Sequence, residues 1–443
     1  MRGIFGKAIA PHPTSALRET ADATFPPAGG RLYLRTPFAL TKQRCPMTKL
    51  RQIFRPGTSY RALLFSVALM GLALGLYKGV LDNYLAEIVS MGEFERGVSE
   101  FFRELPGLML VFLLAALYLL SAETIYKIGS AVLLVGMAMH AAVPPGRALI
   151  TLAICVYSLG EHIQLGLKST LSLSYSSEGR GGEALGTQSA FQQIGTLVGY
   201  AAIIVLFLFA PQVRRTYRFV FLAATVVTAA GAAVSLRIKG RTGTDSAHRR
   251  FYFHKKFTKY YFLEVFYGAR KQVFLTFGPY VLILFYGAGP GTISLLFAVS
   301  AVCGFIASPI VGRIIDKLGY KVVMVADTLI LVVVCFFYGF AHHIFPKDVA
   351  FIVCCVNYVL DSIISLASMA SNVYVQDLSD SNEELQATIS TGISVNHLIT
   401  ILIALFGGWI WKTLGIETLF ILSAVLGLCN SAYAASIKTK KKA

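Results

Sequence analysis

The chain is short of charge. Only 14% of its 443 residues are Asp, Glu, Lys or Arg, against roughly 25% in an ordinary soluble domain. With 55% hydrophobic residues and a positive mean hydropathy, that deficit excludes a conventional water-soluble fold and points to one embedded in lipid. Cysteine supplies no framework. There are seven, and Cys155, Cys303, Cys335, Cys354, Cys355 and Cys429 lie in apolar stretches without CxxC or Cys/His ligand spacing. They read as small apolar residues, and the sequence offers no metal site and no cofactor site. Catalytic signatures are missing too: no nucleophile elbow, no HExxH, no P-loop and no Asp/His cluster in a long loop. A secretory h-region is absent from residues 1–46, which are rich in Arg, Pro, Gly and Thr. Met47 opens a second plausible start, so residues 1–59 are expected to be a disordered extension outside the fold.

What is present is a series of apolar stretches of spanning length, near 20 residues. Starting at Tyr60, they fall at about 60–85, 103–121, 126–143, 147–173, 185–210, 218–236, 259–287, 291–312, 321–342, 348–375, 386–412 and 416–436. The expected fold is an all-α integral membrane protein of twelve helices. The polar stretch 237–258 divides it into a first bundle, 60–236, and a second, 259–436, followed by a basic tail, 437–443.

The net charge of +17 sits in short basic stretches between apolar runs. That suits cytoplasmic loops and not nucleic acid. With both termini placed in the cytoplasm, basic residues after residue 46 divide roughly 22 inside to 8 outside. The outer set includes Arg96, Arg103 and the contrary cluster Arg214, Arg215 and Arg218. The expected location is therefore the plasma or inner membrane. The expected partners are the lipid bilayer and a small solute, with the multi-pass chain functional as a monomer.

The halves repeat weakly at one offset, near 193–201 residues. Lys78 corresponds to Arg270 and Lys271, Cys155-Val156 with Glu161 to Cys355-Val356 with Asp361, and Tyr126-Lys127 to Tyr320-Lys321. Lys78, Arg270 and Lys271 belong to neither loop set and fall at membrane depth, where a cation costs at least about 2.5–3.5 kcal/mol. Lys78 and Asp82 are four apart on one helix face and can pair. Glu161, His162 and Asp361 lie midway along the fourth and tenth spans. Gln192, Gln193, Asn357, Asn396 and His397 offer uncharged hydrogen-bonding groups, either for a substrate or between helices. Gly71, Gly75 and Gly79 recur every fourth residue, a close-packing pattern. Asp327 and His140 read as interfacial, and Glu264 as loop-facing.

Between the eighth and ninth spans stands Gly312-Arg313-Ile-Ile-Asp316-Lys317-Leu-Gly319-Tyr-Lys321. Gly312 permits close helix approach, Gly319 a tight turn, and Asp316 can pair with a basic neighbour. The stretch resembles the G-x-x-x-D-[RK]-x-G-x-[RK] loop of the major facilitator superfamily. The first-half copy is degraded: Glu123 stands for the Asp and both glycines are missing. The resemblance covers about residues 60–436, and Phe94-Glu95-Arg96-Gly97 through Phe102-Arg103-Glu104-Leu105-Pro106-Gly107 is similar to bacterial members of unassigned substrate. It implies a secondary transporter working by alternating access, with this loop in its gate and spans one, four, seven and ten around the path. Cations on spans one and seven would then face carboxylates on four and ten in a charge-balanced centre. The resulting expectation is transport of a small anionic or zwitterionic solute, with a proton as candidate coupling ion and no enzymatic activity. A polytopic membrane enzyme and a transporter-like sensor without flux are the alternatives.

Overall fold

The computed structural model describes residues 59–117, 120–176, 181–239 and 253–437. The expectations for residues 1–58, for most of the 237–258 stretch and for the basic tail lie outside the described residues. Those described form thirteen α-helices in this order: α1 Ser59–Asn83, α2 Glu93–Ala116, α3 Ala122–Ala142, α4 Arg147–Ser174, α5 Gly181–Phe209, α6 Arg214–Ser235, α7 Thr258–Tyr286, α8 Pro290–Leu318, α9 Tyr320–Ile344, α10 Lys347–Ile364, α11 Met369–Leu378, α12 Asn382–Leu414 and α13 Ile416–Ala435. A single 3-10 turn, Ser365–Ser368, joins α10 to α11, so the two make one pass and the passes number twelve. Among the described residues, ten passes are long and apolar enough to cross a bilayer. The two that fall short, α2 and α7, are those laden with buried ionisable groups. The chain is an all-α, multi-pass membrane protein.

Local chemistry sets the breaks. Ser381 caps α12 by accepting from the Glu384 amide at 3.1 Å, a Ser-x-x-Glu start that occupies one orphan donor. Gly319, at φ +83°, lets α8 end and α9 begin within one residue, a backbone state that side chains disfavour.

Successive passes alternate direction, which puts Ser59 and Ala435 on one face, called here the terminal face. In the first half α1 packs on α5 and α6, and α3 on α4 and α6; in the second α9 packs on α10 and α13, and α7 on α12 and α13. The glycine pattern of α1 serves this packing. A Cβ on Gly71 would lie 2.2 Å from the Gln192 carbonyl oxygen, and one on Gly75 2.2 Å from that of Thr196. The halves meet along two seams, α2 against α12 and α5 against α8.

Among the described residues, the hydrogen bonds that cross between halves lie on the side away from the terminal face or at mid-depth. Asn83 Nδ2 donates to Ala288 O at 2.7 Å, Tyr280 to Met91 O at 2.7 Å and Ser294 to Gly79 O at 3.1 Å. Deeper in, Gln272 Nε2 donates to Glu100 at 3.0 Å and His397 bonds Glu104 at 2.9 Å. The face opposite the termini is thus the closed one.

Candidate functional site

Helix α2 begins ten residues before the apolar run that marks it in the sequence, and the extra turns carry the main ionic feature of the molecule. Arg96 bonds Asp82 of α1 at 3.1 Å and Glu100 at 2.8 Å. Arg103 bonds Glu100 at 2.6 Å and also Glu104. Glu104 in turn meets His397 and Thr400 of α12. Arg96, Glu100 and Glu104 are 6%, 1% and 5% exposed. The i, i+3 and i, i+4 spacings put this ladder on one helix face. Arg96 and Arg103 therefore leave the outer loop set, and Asp82 takes Arg96, not Lys78, as its partner. A guanidinium offers two donors to one carboxylate group where Lys78 offers a point charge. The helix–helix approach that permits this is tight: a Cβ on Gly97 would lie 2.4 Å from the Ala404 carbonyl oxygen.

Lys78 is half-buried on α1 and has no hydrogen-bond or ion-pair partner among the described residues. The same holds for Glu161, half-buried midway along α4. Its charge reaches Tyr77, Arg103, Tyr157, Lys168 and Tyr200 on four helices, so it faces the centre of the first half. Lys168 lies two turns from Glu161 on the same face of α4 and donates to Gln192 Oε1 at 2.6 Å. Gln193 is half-buried beside it. His162 is buried, its Nδ1 held at 2.9 Å from Ser158 O.

The second half divides its two cations. Arg270 is 2% exposed and bonds Asp327 of α9 at 2.6 Å. Asp327 is its buried partner within its own bundle, not an interfacial residue, and the Arg270 charge also reaches Asp361. Lys271, one position on, is exposed, as the 100° step of a helix requires. Its charge reaches Glu264 and Asp361. Asp361 is 8% exposed with no hydrogen-bond or ion-pair partner among the described residues. Glu264 is not loop-facing: it accepts from Ser371 at 2.8 Å and from Asn396 at 3.4 Å. Asn357 donates to Val353 O of its own helix at 2.8 Å. His140 is buried as well, bonded to Gly136 O at 2.7 Å. The expected four-member centre is thus modified. Lys78, Glu161, Asp361 and Lys271 have no ion-pair partner among the described residues, whereas Arg270 is paired with Asp327 through Nη1 and leaves Nη2 without a hydrogen-bond partner among the described residues.

The loop motif departs from expectation in two places. Nothing lies within 4 Å of where a Gly312 Cβ would stand, so this glycine serves no close approach here. Arg313, Asp316 and Lys317 are exposed, and Asp316 has no ion-pair partner among the described residues. Lys321 donates to Ile437 O at 3.1 Å. The degraded copy is the more embedded one: Glu123 is 4% exposed and accepts from Tyr175 at 3.3 Å.

Residues 260–442, the second half from its second residue on and nearly all of the basic tail, match the family described as the Major Facilitator Superfamily. No curated protein matches the sequence. Among solved structures, the chain is similar to the nucleoside transporter NupG at 15% identity and TM-score 0.70, covering 87% of this chain and 100% of that one. A point mutant of NupG gives 15% and 0.71, covering 86% and 100%. A POT family transporter in complex with 5-aminolevulinic acid is similar at 11% identity and TM-score 0.67, covering 84% and 94%. At these identities the likeness establishes the fold, which extends over both halves.

Proposed function

We propose that this chain, a polytopic membrane protein with the fold of the Major Facilitator Superfamily, is a secondary transporter that moves a small solute by alternating access. The observation that carries this reading is the pairing of one closed face with uncommitted mid-depth charges in each half: Lys78 and Glu161 in the first, Asp361 and Lys271 in the second. Unsatisfied ionisable groups at membrane depth are costly and mark ligand or ion paths by default, and superfamily sites lie where the repeats meet.

The cations suit an anionic or zwitterionic solute, and Glu161 or Asp361 is the candidate proton carrier. The basic-residue bias supports a cytoplasmic terminal face in the plasma or inner membrane, which makes the described state inward-facing. The two halves, 60–236 and 259–436, are the units that rock against each other.

A thermal-shift screen of purified protein against anionic and zwitterionic metabolites, followed by counterflow in proteoliposomes, tests the proposal. A stabilising solute that exchanges across the bilayer, and fails to do so in Glu161→Gln or Asp361→Asn, is the expected result. A ligand that binds without counterflow would instead favour a sensor. Labelling of Thr258→Cys in a cysteine-free background by an impermeant reagent from outside intact cells would reverse the orientation.

A further inference from the structure

The ladder on α2 does not balance. It holds three carboxylates, Asp82, Glu100 and Glu104, against two guanidiniums, Arg96 and Arg103. With His397 neutral, one negative charge is left over at the Glu104 end, and a buried uncompensated charge is strongly unfavourable. Two histidines converge on that end from other helices. His162 comes from α4 and His397 from α12, their rings 5.2 Å apart between centroids. One ligand atom from each of Glu104, His162 and His397 lies within 4.8 Å of the others.

The hydrogen bonding prepares these atoms. His162 Nδ1 is 2.9 Å from the Ser158 carbonyl oxygen and 3.0 Å from Ser158 Oγ, whose own proton goes to the Arg103 carbonyl oxygen; both oxygens therefore accept, so Nδ1 carries the proton and the Nε2 lone pair is free. That nitrogen has no hydrogen-bond partner among the described residues, on a side chain 6% exposed. A carbonyl behind a histidine is the arrangement that orients imidazole ligands toward a metal. Room is provided by Gly107, where a Cβ would come within 2.7 Å of His162 Nε2 and 2.9 Å of His397 Cε1.

We propose that Glu104, His162 and His397 bind a divalent transition cation of the Zn2+ class that bridges the two halves. Two imidazoles and a carboxylate with an open fourth position form a known type of zinc ligand set. Mixed nitrogen and oxygen donors select such ions over Mg2+ or Ca2+, which prefer oxygen alone. On binding, His397 moves its proton to Nε2 and presents Nδ1 in place of its hydrogen bond to Glu104. Glu104 keeps Arg103 on its other oxygen. Because His397 belongs to the second half and the other two ligands to the first, the cation holds the closed face shut and favours the described state.

The test uses purified, tag-free full-length protein and Zn2+, Co2+ and Mg2+ as probes. A second His/His/Glu group, His342, His343 and Glu417, lies partly exposed on α9 and α13, so titrations are done in a His342→Ala/His343→Ala background. One Zn2+ per chain is expected there, with no heat from Mg2+. His162→Ala, His397→Ala and Gly107→Ala should each weaken Zn2+ binding at least tenfold. Co2+ added to the background protein, in which all three ligands are intact, should give the visible absorption of a four-coordinate nitrogen/oxygen site, a readout independent of whether the ligand variants fold. Absence of stoichiometric Zn2+ binding in the background, binding unaffected by His162→Ala, or a six-coordinate aqueous-type Co2+ spectrum would overturn the proposal.

Discussion

Helices α2 and α8 are the second pass of their respective halves, and each forms a seam with the other half. They are chemically opposite. From Pro290 to Val311, α8 contains no Asp, Glu, Lys or Arg, and its seam is made by small and aromatic groups: Ser294 on Gly79 O, and Phe297 with its ring 5.7 Å from that of Tyr200. The α2 seam is polar: the ion-pair ladder lies within the first half, and its carboxylates cross to the second, Glu100 to Gln272 and Glu104 to His397 and Thr400. Apolar surfaces slide with little change in energy; directed hydrogen bonds to carboxylates fit one register only. The fold is doubled, but control over the contact between halves is concentrated on one seam.

The second half keeps its buried ion pair inside one bundle, and that gives the largest expected effect. Arg270→Met leaves Asp327 buried and unpaired, a loss of about 3–5 kcal/mol for a pair broken from one side. The double change with Asp327→Leu should recover most of it. Thermal melts of the four proteins in detergent form the cycle. No recovery in the double variant would mean that Arg270 has a further role beyond its partner.

The seam itself comes next. Gly97→Leu puts a side chain where a Cβ already meets backbone oxygen, and backbone cannot give way as a flexible side chain would. The halves should part on the closed face without loss of the bundles. A cysteine at Ala288, 4% exposed, should then label about tenfold faster, a shift of about 1.4 kcal/mol. Glu104→Gln should act in the same direction and more weakly, since it keeps shape and removes the charge-assisted bond to His397, worth about 1.5–3 kcal/mol in the closed state but partly replaced by a neutral hydrogen bond. Equal labelling rates in both variants and the parent would show that the α5–α8 seam alone holds the face shut.

The difference between seams also explains what the sequence discloses. Eleven of the twelve passes show as apolar runs close to their true bounds, because burial in lipid needs continuous apolarity. The start of α2 does not show, because Glu93 to Glu104 has the composition of a loop. Its signal is the spacing of Arg96, Glu100, Arg103 and Glu104, which only a helix turns into one face. Lys168 is hidden likewise by its position near the end of α4, seven residues from Glu161. Lys78 and Asp82 mislead by the reverse route: a four-residue spacing allows a pair, but a guanidinium from another helix takes the carboxylate. No local pattern announces Arg270–Asp327 or Glu104–His397, which are separated by 57 and 293 residues.

The smallest effect on stability is expected at the gate loops, where the comparison between halves is sharpest. By motif, the second-half loop is the intact one and Asp316 the residue to change. By structure, Asp316 is exposed and unpaired among the described residues, while Glu123 is buried and bonded to Tyr175. A gate residue acts by being paired in one state and released in the other. Asp316→Asn should therefore leave the melting temperature of this state within the range of a neutral surface change, about 0.5 kcal/mol. It should slow turnover, because the partner it loses belongs to the other state. Glu123→Gln should cost about 1 kcal/mol here, from a weakened buried bond, with a smaller effect on turnover. Melting temperature and exchange rate, measured on both variants, separate the two roles. A drop in melting temperature for Asp316→Asn larger than for Glu123→Gln would show that the exposed loop is engaged in the resting protein, and would return the first-half copy to the lesser place its degraded motif suggests.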